Sequence, residues 1–463
     1  MFQRSCNQVK IDAAKDKPNY NKNNLDYFCT KHCHTMKKQV ITIAVMLSVC
    51  MPVFSQSAKD EISANNRLAA GKYFAYTAPE TVLTPAPEGY KPFYVSSFAR
   101  HGSRYLTDKE KYDEPRSILE DAENKGYLTE DGKRALEIIK YLSNEAEGRY
   151  GELTPKGAQQ HRDLIKRMYN NFKPVFNDGV HVDARSTYKT RAFLSMAAAC
   201  VELKGLNPKL EITTESSLHD SYYIKYKNPA YEKEHLANSD SVYHAADSVY
   251  IHPDRLMKQL FNNTSFINSI KDTKALMSQL FELNGISQSS YNAPDLSFLF
   301  TQDEVYDLWQ RNNFEWYYEK GASPYSDGHM YYLERNLLKN FVTTADTVIA
   351  SGKCGATLRF GHDTNLAPLA VLMGINNLSA STSDWQKIAD TYRTYKIIPM
   401  CGNIQMILYR NSSNDIIAKV LLNEREVEFP INKFSGPYYK WEDLKKYWLD
   451  KTENIILPGQ QKQ

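Results

Sequence analysis

Five consecutive residues combine positive charge and an imidazole in a way that suits an oxyanion. They are Arg100, His101, Gly102, Ser103 and Arg104. Arginine presents forked donors that match the oxygens of a phosphate-like group, and it keeps its charge at every working pH. The two positive charges disfavour protonation of His101, so its imidazole is expected to be neutral and nucleophilic. A solvated basic turn at the end of a strand is the alternative interpretation.

A second segment, far along the chain, joins another imidazole to a carboxylic acid. His362 supplies a further oxyanion donor, and Asp363 supplies an acid that can protonate a leaving oxygen. The alternative is that Asp363 only caps the helix predicted for residues 366–373. Thr364 or Asn365 can also perform that capping task.

Both segments begin where a predicted strand ends. Apolar, β-prone runs cover residues 93–98 and 356–360, and neither run has helical spacing. Ligands of open α/β sheets bind outside the carboxyl ends of the strands. We therefore expect His101 and His362 to face one crevice.

The remaining patterns complete an α/β layout. Helices are predicted at residues 130–150, at residues 154–172 with Thr154 as cap and Pro155 in the first turn, and through residues 191–203. Further strand patterns cover residues 181–183 and a hairpin-like pair, 404–409 with 416–422. A stretch rich in Tyr, Asn and Asp, residues 216–335, has helical patterns and little strand character. We interpret that stretch as an inserted helical cap.

Taken together, RHGSR and GHDTN resemble the signature of the histidine acid phosphatases, a branch of the histidine phosphatase superfamily. The likeness extends to GELTPKGAQQ, which resembles the family's LTP-x-G helix start, and to Arg185-Ser186-Thr187 followed by Arg191. It covers residues 94–447. The resemblance implies a phosphoglycerate-mutase-like fold: an open, mostly parallel sheet flanked by helices, with core segments 93–215 and 336–455 around the helical cap.

Family resemblance also implies residue roles. His101 attacks phosphorus, and Asp363 protonates the departing alkoxide and later helps to activate water. The phosphoryl oxygens are held by Arg100, Arg104, Arg191 and His362. Arg185 is a rival for the role of Arg191, and Arg185 and Lys189 are possible substrate-binding residues. The resemblance implies neither a metal nor a cofactor, and the sequence contains no HExxH pair.

The substrate class follows from a closer resemblance, to bacterial multiple inositol-polyphosphate phosphatases. It is carried by VDARSTYKTRAFLSM, ATLRFGHDTNLAPLAVLMG and PYYKWEDLKKYWLD. The implied substrates are phytate and lower inositol phosphates. Animal enzymes of that group have His-Ala-Glu where this chain has His362-Asp363-Thr364, and Leu106 replaces the family's usual proline. A broad acid phosphatase or glucose-1-phosphatase therefore stays open, as does an inactive phosphate-binding protein with the same fold.

The N-terminal pattern predicts export. Residues 36–38 are Met-Lys-Lys, an apolar run covers residues 40–51, and small residues precede Gln56, as in a signal peptide spanning 36–55. Residues 1–35 are interpreted as a non-native or leader extension, and residues 56–92 as an irregular arm. A lipoprotein anchored through Cys50 is the alternative. We expect a periplasmic or secreted protein of bacterial type.

The net charge argues against some classes of binding protein, and the cysteines allow one disulfide to be considered. The net charge of +3 gives no global field of the kind that nucleic-acid or membrane-surface binders carry, so an anion site must be built locally. The expected partner is a small phosphomonoester. Cys354 and Cys401 each precede a predicted strand, and a disulfide between them is possible on sequence grounds.

Overall fold

A computed structural model of the chain describes residues 56–453, and its strands form a single sheet. The predicted signal peptide and leader lie outside the described residues. The strands, in chain order, are β1 (Lys91–Arg100), β2 (His181–Ser186), β3 (Glu211–Ser216), β4 (Gly355–Gly361), β5 (Asn403–Arg410), β6 (Ile416–Leu422), β7 (Arg425–Glu426) and β8 (Tyr439–Lys440). The spatial order is β3-β2-β4-β1-β5-β6-β7, and β8 pairs with β6.

The strand directions place the ends of β1 and β4 side by side. β3, β2, β4 and β1 are mutually parallel, whereas β5 is antiparallel to both β1 and β6. Arg100 at the end of β1 lies opposite Gly361 at the end of β4. The backbone N–H of His101 continues this pairing by donating to Gly361 O at 2.9 Å. The open, mostly parallel sheet expected from the sequence is confirmed.

Helices cover the sheet and form a further layer beside it. In chain order they are α1 (Ala58–Ala64), α2 (Glu110–Asn124), α3 (Glu130–Ala146), α4 (Pro155–Asn171), α5 (Thr190–Leu206), α6 (Ser221–Ile224), α7 (Pro229–His235), α8 (Ser239–Tyr250), α9 (Asp254–Leu260), α10 (Thr264–Ser269), α11 (Thr273–Ser287), α12 (Gln302–Lys320), α13 (Arg335–Ser351), α14 (Asp363–Met373), α15 (Ile388–Thr391), α16 (Thr394–Ile397) and α17 (Trp441–Glu453). Short 3-10 turns include Asn66–Tyr73 and Met330–Glu334.

Successive residues of β1 point to opposite faces of the sheet, as the pleat requires. Phe98 packs in a cluster with residues of α13 and α14, whereas Ala99 packs in a different cluster with residues of α4 and α5. Both faces are therefore buried. This burial explains why β1 and β4 appear in the sequence as continuous apolar runs.

A third apolar cluster forms the helical layer. It joins α9, α11 and the start of α12 to α2 and α3, and it includes residues of α1 from the N-terminal arm. Residues 217–334 contain helices and, within the described chain, no strand. The helical layer thus draws on chain from outside the stretch predicted as the insertion.

The three cysteines of the described residues, Cys200, Cys354 and Cys401, are all free thiols. A bond between Cys354 and Cys401 is excluded by the register of β1. Tyr94 pairs with Gly355, whereas Ala99 pairs with Asn403, so the two cysteines lie toward opposite ends of the strands. Gly355 and Asn403 are thus about 17 Å apart along β1, and the two cysteines lie beyond the two ends of this interval, whereas a disulfide needs Cα atoms within about 7 Å. Within residues 56–453, no helix combines the length and apolar character needed to cross a bilayer.

Candidate active site

Helix α4 holds the turn that carries His101. Ser103 N–H donates to Gln160 Oε1 at 2.8 Å, and the backbone N–H of Thr154 donates to Ser103 O at 2.9 Å. A Cβ added at Gly102 would lie 2.2 Å from Gly157 O, so no side chain fits between the turn and the helix. The glycines of the RHG and LTPKG segments are therefore required by the same close contact.

His101 is buried, and its backbone neighbour fixes its tautomer. The ring Nδ1 lies 2.9 Å from Gly102 O, and because a carbonyl oxygen only accepts, Nδ1 carries the hydrogen. Nε2 then bears the lone pair. Within the described chain, no hydrogen bond engages this atom. Burial and the charges of Arg100, Arg191 and Arg104 hold the pKa of His101 well below its usual range, so the imidazole is neutral.

Arg100 connects the two segments that the sequence analysis singled out. Its guanidinium is fully buried, and Nη1 donates to the carbonyl oxygens of Ile398, at 2.6 Å, and of Lys72. Nη2 forms an ion pair of 2.7 Å with Asp363 Oδ2. His161 Nε2 donates to the carbonyl oxygen of Arg100 at 3.1 Å, so α4 also fixes the backbone here.

Arg104 and Arg191 complete a cluster of three guanidiniums. Nε of each of the three arginines is buried and has no hydrogen-bond partner among the described residues. Burial and the neighbouring Arg104 lower the pKa of Arg191 to about 10, which leaves it charged at neutral pH. Unpartnered donors on adjacent cations are the arrangement that binds a tetrahedral oxyanion.

His362 lies directly beside the proposed nucleophile. The ring centroids of His101 and His362 are 5.6 Å apart. His362 Nε2 lies 3.0 Å from the hydroxyl oxygen of Thr187, in the Arg-Ser-Thr segment. Burial lowers the pKa of His362 to about 3, assisted by the charge of Arg191, so this ring is also neutral.

Asp363 is the first residue of α14 rather than its cap. The helix begins three residues before the predicted range 366–373, and its N-cap is His362, which makes no side-chain capping bond, so the alternative of a cap at Asp363, Thr364 or Asn365 is wrong. Burial raises the pKa of the Asp363 carboxyl, but the charges of Arg100, Arg104 and Lys72 outweigh it and hold that pKa at about 2. Its position at a helix N-terminus also favours the carboxylate. Without a bound anion, Asp363 is therefore ionised at neutral pH.

A cavity of about 310 Å³ lies beside Arg191, His362 and Asp363, and most of its ionisable lining residues are basic. The ionisable residues that line it include Lys189, Lys225, Lys227, Lys320, Glu232 and Glu334, together with Arg191, His362 and Asp363. Lys189, a possible substrate-binding residue by its place in the sequence, is one of these lining residues. No group of three His, Cys, Asp or Glu side chains within residues 56–453 is arranged to hold a metal ion.

Arg185 lies apart from this cavity. It forms ion pairs with Asp183, Glu215 and Asp220, at 3.1, 2.6 and 2.8 Å respectively. Asp220 is almost fully buried, so the guanidinium compensates a desolvated carboxylate. Three carboxylates thus engage Arg185, and its substrate-binding role stays a prediction, whereas the charge of Arg191 acts directly on His101.

The structure adds cavity residues that the sequence analysis missed. Lys225 and Lys227 lie in the helical stretch after β3, Lys320 ends α12, and Glu334 precedes α13. None of them belongs to a short motif. Only the alternation Lys-Tyr-Lys at residues 225–227 stands out in the sequence, and by itself it is typical of a solvated surface.

Comparisons with known proteins agree with this geometry. The family model of the histidine phosphatase superfamily (branch 2) matches residues 94–423. Among curated proteins, none matches the sequence significantly.

Solved structures share the fold at low sequence identity. The apo form of the Bifidobacterium longum multiple inositol polyphosphate phosphatase is 21% identical, with a TM-score of 0.68 over 82% of this chain and 97% of that one. The same values hold for that enzyme's complex with inositol hexasulfate. The phytase from D. castellii is 16% identical, with a TM-score of 0.60 over 88% of each chain. With the family model matching most of its length, this chain belongs to the histidine phosphatase superfamily, branch 2.

Proposed function

We propose that this protein hydrolyses phosphate monoesters through a phosphohistidine on His101. The observation that carries the proposal is the unengaged Nε2 of a neutral, tautomer-fixed imidazole, set among three guanidiniums with unpartnered Nε atoms. A neutral imidazole lone pair is a nucleophile, and the cations around it stabilise the charge of a transferring phosphoryl group.

In the first step, Nε2 of His101 attacks phosphorus in line, and the bond from phosphorus to the ester oxygen breaks. Arg100, Arg104 and Arg191 hold the phosphoryl oxygens as charge spreads over them. His362 contributes a further donor if its remaining ring N–H faces the phosphate. Asp363, ionised in the free protein, takes up a proton when the bound phosphate offsets the arginine charges, and it delivers this proton to the departing alkoxide.

In the second step, water attacks phosphorus of the phosphohistidine and the N–P bond breaks. The Asp363 carboxylate, left without its proton by the first step, takes one from that water. Free phosphate then leaves, and His101 is again neutral. The contact between Arg100 and Asp363 joins the turn that carries His101 to the start of α14.

Inositol polyphosphates are the substrates that the cavity supports best. The cavity is lined by Lys189, Lys225, Lys227 and Lys320, and a ligand with several phosphate groups uses more than one of them. The fold is shared with a multiple inositol polyphosphate phosphatase that binds inositol hexasulfate, a sulfate counterpart of phytate. Phytate and lower inositol phosphates are accordingly the proposed substrates.

The test is a time-resolved product profile on phytate, run beside glucose 1-phosphate and an aryl phosphate. Higher kcat/KM on phytate, with successive release of phosphate, supports the proposal. Higher kcat/KM on the sugar phosphate identifies a glucose-1-phosphatase, and equal values identify a broad acid phosphatase. Binding of phytate with no turnover at any pH identifies an inactive binding protein.

Export is part of the proposal. Its support is the Met-Lys-Lys start and apolar run within residues 36–55. The N-terminal sequence of the protein isolated from its native cell should begin at Gln56. A protein that retains residues 36–55 in the cytoplasm would contradict this inference.

A further inference from the structure

Glu334 is a buried acid in the wall of the cavity, beside the first turn of α14. Glu334 ends the 3-10 turn Met330–Glu334, and only 2% of its surface is exposed. Asn365 Nδ2 donates to Glu334 Oε1 at 2.8 Å. Asn365 belongs to the first turn of α14, two residues after Asp363, so this bond reaches the element that positions the proton donor.

The second oxygen of Glu334 indicates which protonation state the fold accepts. Oε2 of Glu334 is buried, and within the described chain it has no hydrogen-bond partner. A carboxylate there would leave a desolvated negative oxygen without compensation, whereas a protonated acid would leave only an unused hydroxyl. Burial raises the pKa of Glu334 to about 8, against the opposing effects of Asn365 and Lys320.

The charged surroundings do not provide Glu334 with a direct partner. Lys320, at the end of α12, affects its pKa but forms no ion pair with it among those of the described residues. The other titratable groups that share the cavity are Asp363 and His362 at the start of α14, Lys189 and Arg191 at the start of α5, and Lys225, Tyr226, Lys227 and Glu232 near α7. The carboxyl is thus buried within a basic wall without being paired to it.

We propose that Glu334 is a positioning residue that works in its uncharged form, and that its ionisation sets an alkaline limit on anion binding. As an acid it anchors Asn365 and the first turn of α14. As a carboxylate it places a negative charge in the wall of a cavity that must accept phosphate groups. This inference rests on the proposed phosphatase function and adds a residue to it.

The variant Glu334→Gln tests the inference because glutamine keeps the shape and the acceptor for Asn365 but cannot ionise. Sulfate is a suitable probe, since it stays a dianion from pH 6 to 10 and is not turned over. Between pH 7 and 9, below the pKa of about 10 of Arg191, the affinity of the wild-type protein for sulfate should fall about tenfold, and that of the variant should stay flat. With an aryl phosphate as substrate, kcat/KM should show the same contrast.

Glu232→Gln is the matched control. Glu232 lies in the same cavity but is only partly buried, so this change removes a carboxylate without removing a buried acid. The fall near pH 8 should persist in this variant. Parallel pH profiles for the wild type and Glu334→Gln would overturn the inference.

Two measurements apply even if the protein has no phosphatase activity, or if the variant folds poorly. An infrared band of a protonated carboxylic acid should be present in the wild type at pH 7 and disappear above pH 8. The melting temperature of the wild type should fall relative to Glu334→Gln as pH rises from 4.5 to 8, because the unfolded carboxyl ionises first. Absence of turnover with both results intact would reject the proposed function alone. Absence of the band, or a melting difference independent of pH, would reject the role of Glu334.

Discussion

Arg100 Nη2 and Asp363 Oδ2 form an ion pair of 2.7 Å, although Arg100 ends β1 and Asp363 follows β4, far apart in the chain. The pairing of β1 with β4 makes this contact possible, because Arg100 and Gly361 lie opposite each other where the strands end. Arg100, the residue before the proposed nucleophile His101, is thus joined to the proposed proton donor Asp363. Two measurable consequences concern Asp363 itself, and further predictions concern the lysines and Arg185.

Replacing Asp363 with asparagine should affect substrates according to their leaving groups. A poor leaving group, such as an inositol alkoxide, needs the proton, whereas an aryl oxide hardly does. The rate of phosphohistidine formation should fall about 10²- to 10⁴-fold on phytate and far less on an aryl phosphate. Single-turnover kinetics on both substrates check this difference. An equal loss on both would contradict the role of Asp363 as an acid.

Anion binding should be accompanied by proton uptake. The arginines hold the pKa of free Asp363 at about 2, and a bound dianion offsets their charge, so the carboxyl pKa must rise on binding. At pH values between the pKa of Asp363 in the free protein and its pKa in the bound protein, anion binding takes up a proton. The affinity for the anion therefore increases as pH falls through that range. Calorimetry of sulfate binding near pH 4, in buffers of different ionisation enthalpy, measures the uptake. The same uptake in Asp363→Asn would refute this explanation.

The lysines should matter more for polyphosphates than for a monophosphate. Lys225→Ala should raise KM for phytate about tenfold and change KM for an aryl phosphate little, because only the larger ligand has further phosphates to place. Lys209→Ala is the control, since Lys209 is exposed and pairs with Asp178 away from the cavity. Equal effects of Lys225→Ala on both substrates would mean that the lysine acts only on the transferred phosphate.

Arg185 should affect stability rather than substrate binding. Arg185→Met leaves the buried Asp220 without its cation, which should cost about 1–3 kcal/mol of unfolding free energy. The KM for phytate should stay within about twofold of the wild type at a temperature where the variant is folded. Thermal or urea unfolding and steady-state kinetics measure the two effects. A raised KM with unchanged stability would restore Arg185 as a substrate-binding residue.

The sequence supports the strands and the convergence of the two motifs because these features depend on local patterns. Apolar runs identify β1 and β4, and a parallel arrangement brings their carboxyl ends to one edge. Thr154 caps α4 as expected, with its hydroxyl accepting from Gly157 N–H, and Gly374 ends α14 in the left-handed conformation. These elements follow from capping chemistry and periodicity alone.

Features that depend on long-range packing were not predictable in the same way. The exposed, polar strand β3 lacks an apolar run, and α2 contains Pro115 within its span. The spare oxygen of Glu334 and the ion pairs of Arg185 appear only when separate elements are packed together. α14 begins at Asp363, three residues before the predicted start at 366. This difference also depends on tertiary contacts, because the hydrogen bond from His101 N–H to Gly361 O extends the pairing of β1 with β4 to the residue before His362.

Trapping the covalent intermediate tests the central claim most directly. Asp363→Asn, mixed with a radiolabelled aryl phosphate, should form the phosphohistidine readily and lose it slowly, because the carboxylate that activates water is gone. An alkaline denaturing quench, which preserves a phosphorus–nitrogen bond, should leave label on the peptide that contains His101, and no label when His101 is also replaced by alanine. Turnover without any trapped label, or label on a residue other than His101, would contradict the account.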